Sequence, residues 1–187
     1  GTITLSDVEN TANVSSSGPQ VGGIVGTGKN VTLSGTVKNT GDVTGTQYIG
    51  GIFGNMSGGT LSGTVENAGT VTMESASGFI GGIIGNLNGG AKVDGAKNTG
   101  EVKNIGKGYY TGGIAGICTG TVINSVNEGT VTGGPLTGGI VGQINATGTV
   151  TKCENHGNVT ASSAWHVAGI CGHLNYTADS VKPTVSY

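Results

Sequence analysis

Nucleophiles, metal ligands and acid–base pairs are scarce in this chain, and their spacing builds no familiar reaction centre. The three cysteines, Cys118, Cys153 and Cys171, are odd in number and have no C-x-x-C spacing. The three histidines, His156, His166 and His173, lack the HExxH arrangement or any comparable ligand spacing. A glycoside hydrolase needs two carboxyl groups facing each other across about 5–9 Å, and the ten acidic residues are scattered along the chain from Asp7 to Asp179. The calcium-binding repeat GGxGxD is absent. What remains is aromatic. Tyr48, Phe79 and Tyr110 stand four residues, and Tyr109 and Trp165 five residues, ahead of the isoleucine of a recurring phrase. Rings so placed could form a platform for sugar rings or for a partner's apolar groups.

That phrase reads GGIVG at 22–26, GGIFG at 50–54, GGIIG at 81–85, GGIAG at 112–116, GGIVG at 138–142 and AGICG at 168–172. Its isoleucines, Ile24, Ile52, Ile83, Ile114, Ile140 and Ile170, are 28, 31, 31, 26 and 30 residues apart. A period of this length marks a solenoid, propeller or array. A second marker, Asn-x-Gly-x-Val, follows at Asn39, Asn67, Asn98, Asn127 and Asn155, with a degenerate copy at Asn10. Isoleucine and asparagine are 15 residues apart in four copies and 13 in one, whereas 9 to 12 residues separate the valine from the next isoleucine. Insertions therefore gather on one part of the coil, in repeat proteins often the binding face. The positions after each isoleucine alternate between apolar and polar, which is the signature of a strand. The expected fold is all-β: a parallel β-helix (β-solenoid), right-handed, of about six coils of 26–31 residues with two or three short strands per coil. It spans residues 1–176. Residues 177–187, with Pro183, leave the repeat and read as a cap or a linker to a following domain. The repeated asparagines can hydrogen-bond to one another along the stack. Asparagine also tolerates left-handed turn geometry, which the following glycine suits better still.

The columns place the reactive side chains. Cys118, Cys153 and Cys171 replace small apolar residues, so buried, unpaired thiols are expected. His156 and His173 fall among polar residues, which predicts solvated surface. Glu66 and Glu154 share a column, but Lys97 and Val126 come between them. Behind the repeated valine stand Ser15, Thr44, Thr72, Lys103, Thr132 and Thr160. A regular threonine array could bind ice, but Lys103 interrupts this one and no second threonine column is evident. Tyr48, Phe79 and Tyr110 share the isoleucine's parity, which predicts an aromatic ladder inside the core. Trp165, out of phase and beside His166, is the better surface candidate. The candidate binding residues are Trp165, His166, Tyr109, Tyr110 and Tyr48.

Composition narrows the class. Charged residues make up 10% of the chain, formal net charge is -2, and no basic cluster exists, so nucleic acid is not an expected partner. No apolar run approaches the ~18 residues that span a bilayer, so membrane insertion is not expected. Forty glycines, with abundant Thr, Val and Asn, disfavour long helices.

The pairing of GG-I-x-G with Asn-x-Gly-x-Val, repeated from about Thr4 to Tyr176, resembles the GLUG repeat of bacterial surface and secreted proteins. Isoleucine stands here where that repeat typically has leucine. The resemblance implies an extracellular or cell-surface segment of a larger parent chain and carries over no catalytic residue, metal or cofactor. The expected function is that of a non-enzymatic adhesin segment binding a host or environmental glycan or protein. The alternative is a structural spacer or docking domain of a secreted protease or glycan-processing enzyme.

Overall fold

Runs of Val, Ile and Thr suit pleated strands, but here glycine or asparagine soon interrupts most of them. Such short strands gain stability when every repeat returns the chain to the same place and pairs with the last one. The computed structural model, which describes residues 3–162, 165–175 and 184–186, shows this arrangement. It is an all-β solenoid of about six coils stacked through parallel strands.

Five short strand segments, rather than two or three, make up each coil. In the second coil they are face a (residues 31–33), face b (residues 36–39), face c (Val43–Gly45), face d (Tyr48–Gly50) and face e (residues 53–57). Faces c and d are each a six-stranded sheet, while strands such as Val25–Asn39 run through the corners and merge faces a, b and e into one 15-stranded sheet. Apart from a shift between Ser6 and Val8, the register is one-to-one: Tyr48 pairs with Phe79, Val43 with Val71 and Asn39 with Asn67. Thr184–Ser186 pairs in parallel with Thr149–Thr151 and adds a rung to face a. Residues 177–183 and 187 of the expected tail lie outside the described residues.

The corner between faces a and b is a single left-handed residue in each coil: Asp7 (φ 54), Gly35 (φ 68), Gly63 (φ 92), Gly95 (φ 77), Asn124 (φ 53) and Lys152 (φ 51). The Asn-x-Gly turns, by contrast, stay out of the left-handed region, so the torsional reason expected for their glycines does not apply. Their reason is space. A methyl group on Gly69, Gly100 or Gly129 would run into the carbonyl oxygen of Gly41, Gly69 or Gly100, one coil back.

The interior is divided into two apolar lobes. One holds Leu33, Val37, Phe53, Leu61 and the central isoleucines Ile52, Ile83, Ile114 and Ile140; the other holds Val43, Ile49, Val71, Met73, Ile80 and Val102. Between them each coil narrows to a waist. Asn39, Asn67, Asn98 and Asn127 enter it from face b and are 0% exposed. The second glycine of each GG pair lines the opposite side, where a methyl on Gly51, Gly82 or Gly113 would overlap the amide of Asn67, Asn98 or Asn127. The two sequence markers are therefore one contact.

Each asparagine amide is used fully. Nδ2 of Asn67 donates to Gly69 O at 2.9 Å and to Oδ1 of Asn98 at 2.9 Å. Asn98 repeats the pattern with Gly100 O and Asn127 Oδ1, both at 2.8 Å. The ladder runs unbroken from Asn10 to Asn155. Replacing Asn98 by Ala removes three of these bonds and strands the Asn67 donor in a dry interior. The expected cost is about 2–4 kcal/mol in urea unfolding, against about 1 kcal/mol or less for Asn10→Ala at the end of the ladder, where no donor is left stranded. Equal losses at the two sites would refute the ladder's role in stability.

Candidate functional site

Face d carries the aromatic candidates, and backbone pairing sets their positions. Tyr48 N–H donates to Pro19 O at 2.7 Å and Phe79 N–H to Gln47 O at 2.6 Å, while His166 N–H donates to Pro135 O at 2.9 Å. Tyr48, Phe79 and Tyr110 stand directly above one another. Their ring centroids are 5.0 and 4.9 Å apart, at interplanar angles of 40° and 73°. The row continues through Tyr109, 6.1 Å from Tyr110, to Trp165, a further 6.1 Å away. Tyr109 and Trp165 approach each other across a coil that offers no aromatic residue and whose outward Leu136 is buried.

The expected core ladder is corrected here. Tyr48, Phe79 and Tyr110 are half-buried and face outward, while Ile49 and Ile80, one residue on, fill the interior at 0% exposure. Parity with the central isoleucine fails because the chain turns at the GG pair, between face d and face e. Trp165 at 68% and Tyr109 at 44% exposure are the most open members of the row. A shallow depression of about 210 Å³ beside Tyr48 and Phe79 is lined otherwise by Gln47, Ser77 and Gly78.

The loop that lifts Tyr109 is clamped from below by Asn104, which is 3% exposed. Its Nδ2 donates to Gly108 O at 2.6 Å and to Thr111 Oγ1 at 2.8 Å, and its Oδ1 accepts from Gly108 N at 2.9 Å. Nothing in the repeat pattern singles out Asn104, because its column holds Met73 one coil back.

The other reactive groups do not converge. Cys118 is buried and its thiol is pushed up to about 12 by burial; Cys171, half-buried, is pushed up to about 11 by the same cause. Burial also raises the half-buried Cys153 thiol. All three are free and poor in thiolate. Among the described residues, no three His, Cys, Asp or Glu side chains gather closely enough to hold a metal ion. Lys97 separates Glu66 from the next coil and pairs with Glu128 at 3.0 Å. The register also reveals a threonine column the linear pattern concealed. On face a, Thr4, Thr32, Thr60, Lys92, Thr121, Thr149 and Thr184 stand in line. The recurring triplet Thr-Leu-Ser or Thr-Val-x was its signal. Lys92 breaks this array by pairing with Asp94 at 2.7 Å, as Lys103 breaks the array on face c by pairing with Glu101 at 2.9 Å.

Comparison with protein-family models, curated proteins and solved structures finds no match. The geometry of the chain itself carries the functional argument.

At the C-terminal end of the row, the rings of His166 and His173 stack at 5.0 Å and 14°. His173 is half-buried rather than solvated, and its Nδ1 lies 2.9 Å from Gln143 Oε1. His156 is exposed, as expected, beside Glu154. Burial, and then the neighbouring His166, hold the His173 ring below the ordinary value of 6.5. A lowered histidine pKa favours the neutral ring in the folded state. Its contribution to stability is complete above about pH 6.5 and is lost as pH falls below it. The melting temperature should therefore drop as pH falls below about 6.5, with His173→Gln removing part of the drop. A drop of unchanged size in the variant would reject this assignment.

Proposed function

We propose that this chain is a non-enzymatic binding segment of a bacterial secreted or surface-anchored protein, and that the aromatic row on face d is its contact surface. The observation that carries the reading is the row itself. Five of the chain's eight aromatic residues gather on one outward face, in contact from ring to ring. Aromatic side chains exposed together are costly unless something covers them, and Trp and Tyr are the residues most enriched at the centres of interfaces.

Two further features support it. The row lies where insertions gather along the sequence, so neighbouring coils can vary their loops without disturbing the ladder. The recurring GG-I-x-G and Asn-x-Gly-x-Val phrases resemble the GLUG repeat, which supports an extracellular or cell-surface setting and an adhesin role. A glycan or a protein of the host or environment is the proposed partner. The regular column itself favours the second reading, a rigid spacer or docking domain in a larger secreted protein.

The two readings separate on an array of glycans, mucins and matrix proteins. Saturable binding, weakened about tenfold or more by Trp165→Ala or Tyr110→Ala at unchanged folding, is the expected result. A monodisperse, folded sample that binds nothing would move the function to a spacer.

A further inference from the structure

Three properties of the row narrow what can lie on it. The first is direction. Tyr48, Phe79 and Tyr110 belong to successive coils, so the row runs along the solenoid axis and across the strands. The coil-to-coil steps are 5.0 and 4.9 Å; Tyr109 then stands beside Tyr110 in the same coil, 6.1 Å away, and meets Trp165 from two coils on after a further 6.1 Å. A ligand that meets all five must be long and thin.

The second is charge. Of the side chains that line the depression beside Tyr48 and Phe79, none is Lys, Arg, Asp or Glu; the polar ones are Gln47 and Ser77. The ion pairs of the described residues all lie around faces a, b and c: Lys92–Asp94, Lys97–Glu128, Lys103–Glu101 and His156–Glu154. Beside Tyr48 and Phe79 a charged ligand would meet no counter-charge, and Lys107, in the loop that carries Tyr109, is the single Lys, Arg, Asp or Glu within two residues of the row's rings; amide and hydroxyl groups suit hydroxyl partners.

The third is relief. Successive ring planes differ by 40°, 73°, 41° and 63°. A stepped surface cannot lie flush against a flat crystalline face. The depression, at about 210 Å³, is also smaller than the roughly 300–1,000 Å³ of pockets that enclose a small molecule. A protein partner would need about 800 Å² per side around a desolvated centre, and the row is one or two rings wide.

Resting on the reading of face d as the contact surface, we propose that its ligand is a single neutral polysaccharide chain laid along the solenoid axis, one sugar ring against each aromatic step. Recognition is by stacking on the rings and by hydrogen bonds from hydroxyls to side chains such as Gln47 and Ser77.

The test uses the whole chain and neutral oligosaccharide series (glucan, xylan, mannan and N-acetylated chitin) from disaccharide to hexasaccharide. Calorimetry and Trp165 fluorescence give the affinities. For at least one series the affinity should rise by roughly two- to tenfold per added ring contact, level off once the row is covered, and change little with salt. Trp165→Ala and Tyr48→Ala, at opposite ends of the row, should each bring the plateau to a shorter oligosaccharide while the chain remains folded. An affinity indifferent to length, or a preference for acidic chains that salt abolishes, would overturn the proposal. Capture of a protein alone, lost with the same substitutions, would overturn the glycan assignment and leave face d as the contact surface. Binding to neither class would remove both readings.

Discussion

The structure depends on a row of buried amides. A solenoid coil of this size encloses more width than one file of side chains can fill, and here it is drawn in at the waist by the asparagine ladder. A buried amide is tolerable only with its hydrogen bonds made, and the ladder makes them in the one way that also fixes register. Nδ2 holds its own turn through the glycine carbonyl two residues on, and holds the next coil through Oδ1. A coil slipped by one residue would bring side chains such as Lys38, Glu66 or Lys97 to the ladder position and leave buried amides unpaired on both sides. The apolar lobes supply the burial energy, but they accept Leu, Val, Ile, Met or Phe in the same columns. The amides accept only asparagine, and so decide the stacking.

The glycine pair follows from this. With Asn67 pressed against Gly51 and Asn98 against Gly82, any side chain at the second glycine would force the waist open. The other glycines of the phrase meet backbone instead: Gly50 lies against the carbonyl oxygen of Phe53, and Gly54 against backbone atoms of face d one coil back. The phrase is thus a record of three close approaches, and its high glycine content reflects crowding rather than mobility.

That logic explains what the sequence revealed. Coil number, parallel stacking, and the asparagine and isoleucine columns were legible because each depends on a residue type repeated at nearly fixed spacing. Parity arguments worked within a strand and failed across a corner, which is why Tyr48, Phe79 and Tyr110 lie on the outside when they were expected inside. The left-handed corners stayed hidden because Gly, Asn, Asp and even Lys152 fill them, at offsets from the isoleucine that vary between coils. The threonine column of face a was concealed by the same drifting offsets. Asn104 could not be found at all, since it belongs to one loop of one coil. The aromatic candidates were identified as a set, but their continuity from Tyr48 to Trp165 needed the register, because Tyr109 and Trp165 meet across a coil between them.

The ladder and the proposed contact surface therefore draw on different parts of the repeat. The ladder and its glycines tolerate almost no change, and they occupy the part of the repeat whose length barely varies. Face d follows the part that does vary, and its outward residues (Gln20, Tyr48, Phe79, Tyr110, Leu136 and His166 in register) share no single type. Parallel stacking turns any such column into an axial row whether or not its members suit one another. What distinguishes this row is that its open members are rings already in contact. A ligand laid on a fixed row meets groups whose spacing the backbone has set in advance, so little order has to be imposed when it binds. The constraint that makes the fold so repetitive is also what sets the step from Tyr48 to Phe79 and Tyr110 on its variable face.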